Sequence, residues 1–292
     1  MRILIIGGNG MLGHKLLQEW QARFDVWTTL RGGFEDVRQY DIFDPAKTLE
    51  NIDAEDFPSV ERAVGIVAPE VIFNAVGIIK QLPSSKNVIK TLTVNSIFPH
   101  RLAELAAKTG ARLINISTDC VFDGKKGNYR EDDLPNATDL YGKSKNLGEV
   151  DGANCLTLRT SIIGRELSTN HSLVEWFLSN RGKKVKGFVN AVYTGFPTIV
   201  LADIIADLIE HHKDLSGLYH VSAEPINKYE LLQMIGEAYR ADIEIEPDES
   251  LRIDRSLDSR RFRSTTGFKP AAWKEMIRQM AEDKTPYETW RK

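Results

Sequence analysis

Tyr141 and Lys145 stand four residues apart in Tyr141-Gly142-Lys143-Ser144-Lys145, where the pattern predicts a helix over 141–150. A spacing of i, i+4 puts both side chains on one helix face. A tyrosine ordinarily loses its proton near about pH 10. An ammonium one turn away stabilises the phenolate and draws that value towards neutrality. Such a tyrosine can give a proton to a carbonyl oxygen while hydride arrives at the carbonyl carbon. Upstream, Ile114-Asn115-Ile116-Ser117-Thr118-Asp119 reads as the carboxyl end of a buried strand. A hydroxyl there, Thr118 with Ser117 as second choice, can hold the same oxygen.

Hydride needs a carrier, and the first thirteen residues offer a place for one. Gly7-Gly8-Asn9-Gly10-Met11-Leu12-Gly13 lies where a strand passes into a helix. Glycines at 7, 10 and 13 permit a tight turn, close approach to a pyrophosphate and close helix packing. The helix start adds free N–H groups and the positive end of a dipole. Asn9, Met11 and Leu12 belong to the same cradle. The other reading, a glycine-rich turn without a ligand, loses ground because the strand and helix flank it as the fingerprint requires. At the end of the second strand an acid usually holds the ribose of the non-phosphorylated dinucleotide. Here the chain reads Trp27-Thr28-Thr29-Leu30-Arg31, with no acid. Arg31 and the neighbouring threonines suit a 2′-phosphate, so NADPH is favoured and NADH is the alternative. Asp41-Ile42, read as the end of a third strand, is placed to hold the adenine edge and face; capping of the Asp44–Pro45 turn is the competing role for Asp41.

For these groups to meet, the strands must end side by side. The apolar run 3–6 predicts a strand buried on both faces. Residues 11–23 carry Leu12, Leu16, Leu17 and Trp20 at helical spacing. The alternation continues: 25–30 extended, 59–67 helical, 71–74 extended, 94–109 helical, 112–117 extended, 141–150 helical and 155–158 extended. This is the pattern of an α/β, doubly wound parallel sheet (Rossmann) with a smaller C-terminal α/β domain. Beyond Gly164 the rhythm loosens: 170–180 and 199–212 read as helical, 181–188 as a basic loop, 218–222 as a strand and 228–239 as a helix. The expected division is 1–165 for the dinucleotide and 166–292 for the substrate, with about 191–213 returning to the first domain.

Composition narrows the field. A chain of 292 residues with a formal charge of −3 gives no reason to expect nucleic acid or an acidic membrane as partner. Its two cysteines, Cys120 and Cys155, form no CxxC pair and no His cluster has ligand spacing, so neither a disulfide scaffold nor a metal site is expected. No apolar run suits a signal peptide or a membrane span, which points to the cytoplasm.

These motifs together resemble the extended short-chain dehydrogenase/reductase superfamily, and within it the dTDP-4-dehydrorhamnose reductase family. The resemblance runs nearly end to end: GGNGMLG at 7–13, Asn74-Ala75, Val94-Asn95, STDCVFDG at 117–124, YGKSKNLGE at 141–149, LRTS at 158–161, FPT at 196–198 and GLYHVS at 217–222. It implies reduction of a nucleotide-diphospho-4-keto-6-deoxy sugar in cell-surface polysaccharide synthesis. It also implies catalytic Thr118, Tyr141 and Lys145, with Asn95 helping the lysine reach a proton-relaying water. Asn74, Ala75 and Val76 would line the cofactor channel, and Arg159 would lie near the nicotinamide, with Tyr141 and Lys145 also touching the cofactor. Substrate contacts would come from Thr118, Asp119, Cys120, Val121, Phe122, Tyr141 and Phe196. A homodimer is compatible with the family. Sugar-nucleotide dehydratases of this type carry Thr-Asp-Glu, whereas Cys120 follows Asp119 here, which favours reduction over loss of water. Cys120 also departs from the reductases, where tyrosine is commoner, so altered substrate contacts are expected. Two other roles stay open: an epimerase or dehydratase that retains its NAD, and a non-catalytic NADP-binding regulatory subunit.

Other features weigh less. Arg181-Gly182-Lys183-Lys184-Val185-Lys186 suits a substrate diphosphate, though a solvated loop is the plainer reading. His211-His212 at a helix end needs only the helix dipole to explain it.

Overall fold

Ile3 to Ile6 are 0–2% exposed, because strand β1 (Arg2–Ile6) is flanked on both sides. In the computed structural model, which describes residues 1–291, it belongs to a seven-stranded sheet. With β2 (Asp25–Thr29), β3 (Thr48–Leu49), β4 (Val71–Asn74), β5 (Arg112–Thr118) and β6 (Cys155–Thr160), the order across it is Gly217–His220, β6, β5, β4, β1, β2, β3. The pairs β1–β2, β2–β3, β1–β4 and β4–β5 are parallel. The chain leaves β1 in one direction and resumes on its other side with β4. That reversal falls between β1 and β4, and doubly wound sheets take ligands outside the carboxyl ends of the strands at such a point.

Contacts divide the chain into two units. The first holds Met1–Ser117, Thr138–Leu158 and Ala202–Leu218; the second holds Thr118–Ala137, Arg159–Leu201 and Tyr219–Lys292. In the first, Phe57, Val60, Val64, Phe98 and Leu102 from two helices cover Leu4, Ile72 and Leu113 of the sheet. Trp20 is fully buried and its indole Nε1 donates to the Ala202 carbonyl at 3.0 Å. The second contains a three-stranded sheet in the order Ile226–Asn227, Lys184–Tyr193, Glu244–Asp254, beside the helix Lys228–Ala238.

Several expectations needed correction. The basic segment 181–188 is not a loop: Lys184–Tyr193 is a ten-residue strand. Its charge is neutralised across the ladder, Lys184 pairing with Glu244 at 2.8 Å and Lys186 with Asp248 at 3.2 Å. Those lysines are therefore spent on the partner strand Glu244–Asp254, whose largely exposed, polar residues hid it from a hydrophobic pattern. Asp41-Ile42 ends no strand; it lies in a turn, and β3 follows at Thr48. The cap there is Asp44, whose carboxylate accepts from Ala46 N at 2.9 Å. The helix expected over 94–109 is broken, with a π turn at Thr93–Ile97 before the α-helix Phe98–Thr109. Pro99 has no N–H for the Asn95 carbonyl four residues back, so regular α pairing stops there. His211 and His212 both reach Asp207, at 2.8 and 3.5 Å. No helix of the described residues is long and apolar enough to cross a membrane.

Candidate active site

The glycine loop is shaped as a cradle. Gly7 has φ +92°, a conformation that disfavours any side chain. A Cβ on Gly13 would lie 2.1 Å from the Gly7 carbonyl oxygen, so the helix Met11–Trp20 can seat against the turn only with glycine there. Gly10 is different. Its φ is −74° and its Cβ would meet nothing nearer than 3.5 Å. The fold alone does not require glycine at 10, yet this is the helix N-cap, with no capping side chain and no acid in the first turn. A backbone left bare at a helix start fits a diphosphate. Asn9 is exposed and Met11 half-buried, whereas Leu12 is buried and offers its backbone. Ala75 N donates to the Ile6 carbonyl at 3.0 Å, and a Cβ on Gly7 would come within 2.9 Å of Val76 Cγ2. The ends of β1 and β4 therefore lie against one another, with Asn74, Ala75 and Val76 beside the glycine turn.

The threonines expected to help Arg31 are unavailable. Thr28 and Thr29 are 0% and 1% exposed; Thr28 Oγ1 donates to the Ile5 carbonyl, and Thr29 Oγ1 accepts from Gly7 N. They stitch β2 to β1. Arg31 itself is exposed just beyond β2.

Tyr141 and Lys145 share the helix Leu140–Leu147, capped by Asp139, whose carboxylate accepts from Gly142 N at 2.9 Å. Lys80, from the loop after β4, donates to Asp139 Oδ2 at 2.8 Å and sits 5.5 Å from the centre of the Tyr141 ring. Lys145 is 7% exposed and its ammonium donates to the Ile116 carbonyl at 2.7 Å. Burial lowers it from the usual lysine range to about 8, opposed by the charge of Glu149. The side-chain hydrogen bonds of Asn95 go to Ile78 and Ser144, not to Lys145. Its amide accepts from Ile78 N at 2.8 Å and donates to the Ile78 carbonyl and to Ser144 Oγ. Ser144 Oγ in turn donates to the Tyr141 carbonyl at 2.9 Å. Asn74 is 2% exposed, with Nδ2 donating to Asn115 Oδ1 and Oδ1 accepting from Val76 N. Its amide shapes the turn after β4.

The two candidate hydroxyls are now distinguished. Ser117 Oγ donates to Glu149 Oε1 at 2.6 Å, a charge-assisted bond. Thr118 belongs to the second unit, where its Oγ1 accepts from Cys120 N at 3.1 Å and donates to Asp119 Oδ1 at 3.2 Å. Asp119 is 7% exposed, and burial raises its carboxyl above the usual range against the pull of Arg255. Cys120 is half-buried. Val121 and Phe122 are fully buried in a cluster with Tyr129 and Leu257, Phe122 stacking on Tyr129 with ring centres 4.1 Å apart. Arg159, also buried, lies 5.2 Å from the Phe122 ring centre, and its Nη1 is 3.2 Å from His220 Nε2. His220 Nδ1 faces the Tyr129 carbonyl at 3.0 Å. These partners select the neutral tautomer with hydrogen on Nδ1, and burial with the Arg159 charge lowers His220 to about 3. Phe196 is fully buried against Phe268.

Residues 1–285 match the family described as the RmlD substrate binding domain. The chain belongs to this family. Over 299 aligned residues this RmlD-family chain is 27% identical to the spore coat polysaccharide biosynthesis protein SpsK of Bacillus subtilis, covering 97% of this chain and 98% of that one. It resembles the solved structure of a hypothetical dTDP-4-dehydrorhamnose reductase from Sulfolobus tokodaii, with TM-score 0.75, 28% identity and 94% and 98% of the two chains covered. The Bacillus anthracis dTDP-4-dehydrorhamnose reductase in complex with NADP shares the fold at TM-score 0.77 and 23% identity, over 96% and 98%.

Five positions joined the site of this RmlD-type chain without having been singled out: Lys80, Asn115, Ser144, Gly148 and Glu149. A signal existed for Asn115, a buried polar residue within an apolar strand, and for Gly148-Glu149, the end of a quoted motif. Lys80 had none, because only the fold brings its loop to the start of the Tyr141 helix.

Proposed function

We propose that this chain reduces the 4-keto group of a nucleotide-diphospho-6-deoxy sugar, with NADPH the favoured donor and NADH the alternative, in deoxysugar synthesis for surface polysaccharide. The observation that carries this is Lys145. It is a buried ammonium one turn after Tyr141, fixed on the Ile116 carbonyl, in the unit that also holds the bare glycine cradle. Family membership, the polysaccharide role in SpsK's name and the two reductase structures support the reading.

In this mechanism Gly7, Asn9, Gly10, Met11, Leu12 and Gly13 would hold the dinucleotide diphosphate, and Arg31 would meet the 2′-phosphate. When bound, the nicotinamide supplies hydride to C4. Tyr141 protonates the oxygen that gains charge. Lys145 returns that proton, a task suited to an ammonium brought down to about 8. Thr118 steadies the oxygen by turning its hydrogen away from Asp119, while Asp119 and Cys120 contact the sugar. Val121, Phe122 and Phe196 are buried and would complete the substrate side, with Arg159, also buried, near the nicotinamide. Asp41 and Ile42 would serve the adenine from a turn. The reading places the enzyme in the cytoplasm as a homodimer, which its molar mass in solution would check.

The test is NADPH oxidation by the purified protein across a panel of nucleotide-linked 4-keto-6-deoxy sugars, with NADH in parallel. Oxidation with one sugar and faster turnover on NADPH is expected. NADPH binding without oxidation on any member would overturn the reductase reading. Retained NAD with no net consumption would replace it by an epimerase or dehydratase.

A further inference from the structure

We infer that Glu149, pinned by the Ser117 hydroxyl, is the counter-ion that holds Lys145 as an ammonium, and so a positioning residue for the proton step. This rests on the reductase reading for its role in turnover.

The helix bearing Lys145 ends at Leu147. Gly148 N turns back to the Ser144 and Lys145 carbonyls, and Glu149 N bonds the Asn146 carbonyl. The turn is packed tightly against the π segment: a Cβ on Gly148 would stand 1.9 Å from the Asn95 carbonyl oxygen. The Gly148 carbonyl accepts from Asn115 Nδ2 at 3.1 Å, which moors the turn to β5. Glu149 is thereby directed back at the same strand, where Ser117 Oγ donates to it at 2.6 Å. Lys145 reaches Ile116, the adjacent residue, at 2.7 Å. Ammonium and carboxylate leave one helix end and are tied to consecutive residues of β5.

A buried ammonium with one carbonyl acceptor is costly, and an opposite charge close by offsets that cost. The other titratable groups nearby do not supply it. Tyr141 is one turn away on the same helix, and Asp139 at the start of that helix is paired with Lys80. The π segment Thr93–Ile97 contains no charged residue, and β5 contributes Ile116 and Ser117 beside the ammonium. The short segments Pro83–Lys86 and Val88–Leu92 bring only the cations Lys86 and Lys90, the latter paired with Glu55. Glu149 is the acid whose field acts on Lys145, against the burial that would discharge it.

The experiment uses Glu149→Gln in the full-length protein, since the amide keeps the shape and an acceptor for Ser117 but removes the charge. The titration midpoint of Lys145 is read by NMR from Cε-labelled lysine, assigned with Lys145→Met, and needs no substrate. A fall of about one pH unit is expected, a tenfold change in the protonation ratio, with Glu149→Asp close to wild type. In turnover, the alkaline limb of the kcat profile should move down equally, with a loss of about five- to tenfold at pH 8.5 and little at pH 6.5. An unchanged midpoint in folded Glu149→Gln overturns the inference. Absent turnover in the wild type would instead count against the reductase reading, with the NMR titration still deciding the role of Glu149. Should Glu149→Gln not fold, Ser117→Ala decides: a smaller downward shift supports the inference and no shift overturns it.

Discussion

Asn95 Nδ2 donates to Ser144 Oγ at 3.1 Å, joining the π turn to the helix that carries Tyr141 and Lys145. The same amide pairs both backbone groups of Ile78, in the loop that delivers Lys80. One side chain thus fixes the loop after β4 against the helix of Tyr141 and Lys145. Asn95→Ala strands buried backbone donors and acceptors, at about 1–3 kcal/mol for each unsatisfied group. Urea unfolding should show a loss of about 2–4 kcal/mol by that reasoning; a variant as stable as wild type would mean the linkage is dispensable.

Tyr141→Phe keeps the ring and removes the proton. Turnover should fall by about 10²–10⁴-fold, the usual worth of a general acid. Affinity for NADPH, followed by fluorescence titration, should hardly move, because the diphosphate cradle is on another segment. Full activity in this variant would remove Tyr141 from the mechanism.

Gly148 tolerates no side chain. An alanine there must push the Asn95 carbonyl or the helix end away from its seat, and overpacking of this kind costs about 1–3 kcal/mol. Lys145 is displaced by the same movement, so Gly148→Ala should lower both the melting temperature and kcat. Loss of stability with unchanged kcat would separate the turn from the chemistry.

With Thr28 and Thr29 engaged in the sheet, the proposed function leaves discrimination between the two dinucleotides to Arg31. Arg31→Ala should weaken NADPH by about tenfold, the scale of one charge-assisted hydrogen bond, and leave NADH unaltered. Parallel Kd measurements check this; equal weakening of both would place Arg31 elsewhere on the cofactor.

His220 couples folding to pH. Its folded value is about 3 against an ordinary 6.5, so between these limits the unfolded chain carries a proton that the folded chain lacks. Its share of stability is complete above pH 6.5 and drains away as pH falls towards 3, by about 1.4 kcal/mol per unit. His220→Gln retains a donor for Tyr129 and an acceptor for Arg159 without titrating. Urea midpoints from pH 7 to 5 should fall less steeply in this variant; parallel slopes would exclude His220 as the source.

Local sequence determined the doubly wound sheet, the glycine turn, and the placing of Tyr141 and Lys145 on one helix. Each is written in short-range terms: apolar runs for buried strands, glycines where backbone must pass backbone, and i, i+4 spacing on a helix. It failed where a segment's character is set by a distant neighbour. Lys184 and Lys186 read as a solvated loop until Glu244 and Asp248 were placed beside them, because strand pairing balances charge across about 60 residues of chain. Thr28 and Thr29 read as ligands until β1 claimed their hydroxyls. Likewise only the tertiary structure decided that Ser117 serves Glu149 while the Thr118 hydroxyl turns to Asp119 and Cys120, since burial and hydrogen-bond direction depend on what the fold stacks against each residue at the end of β5.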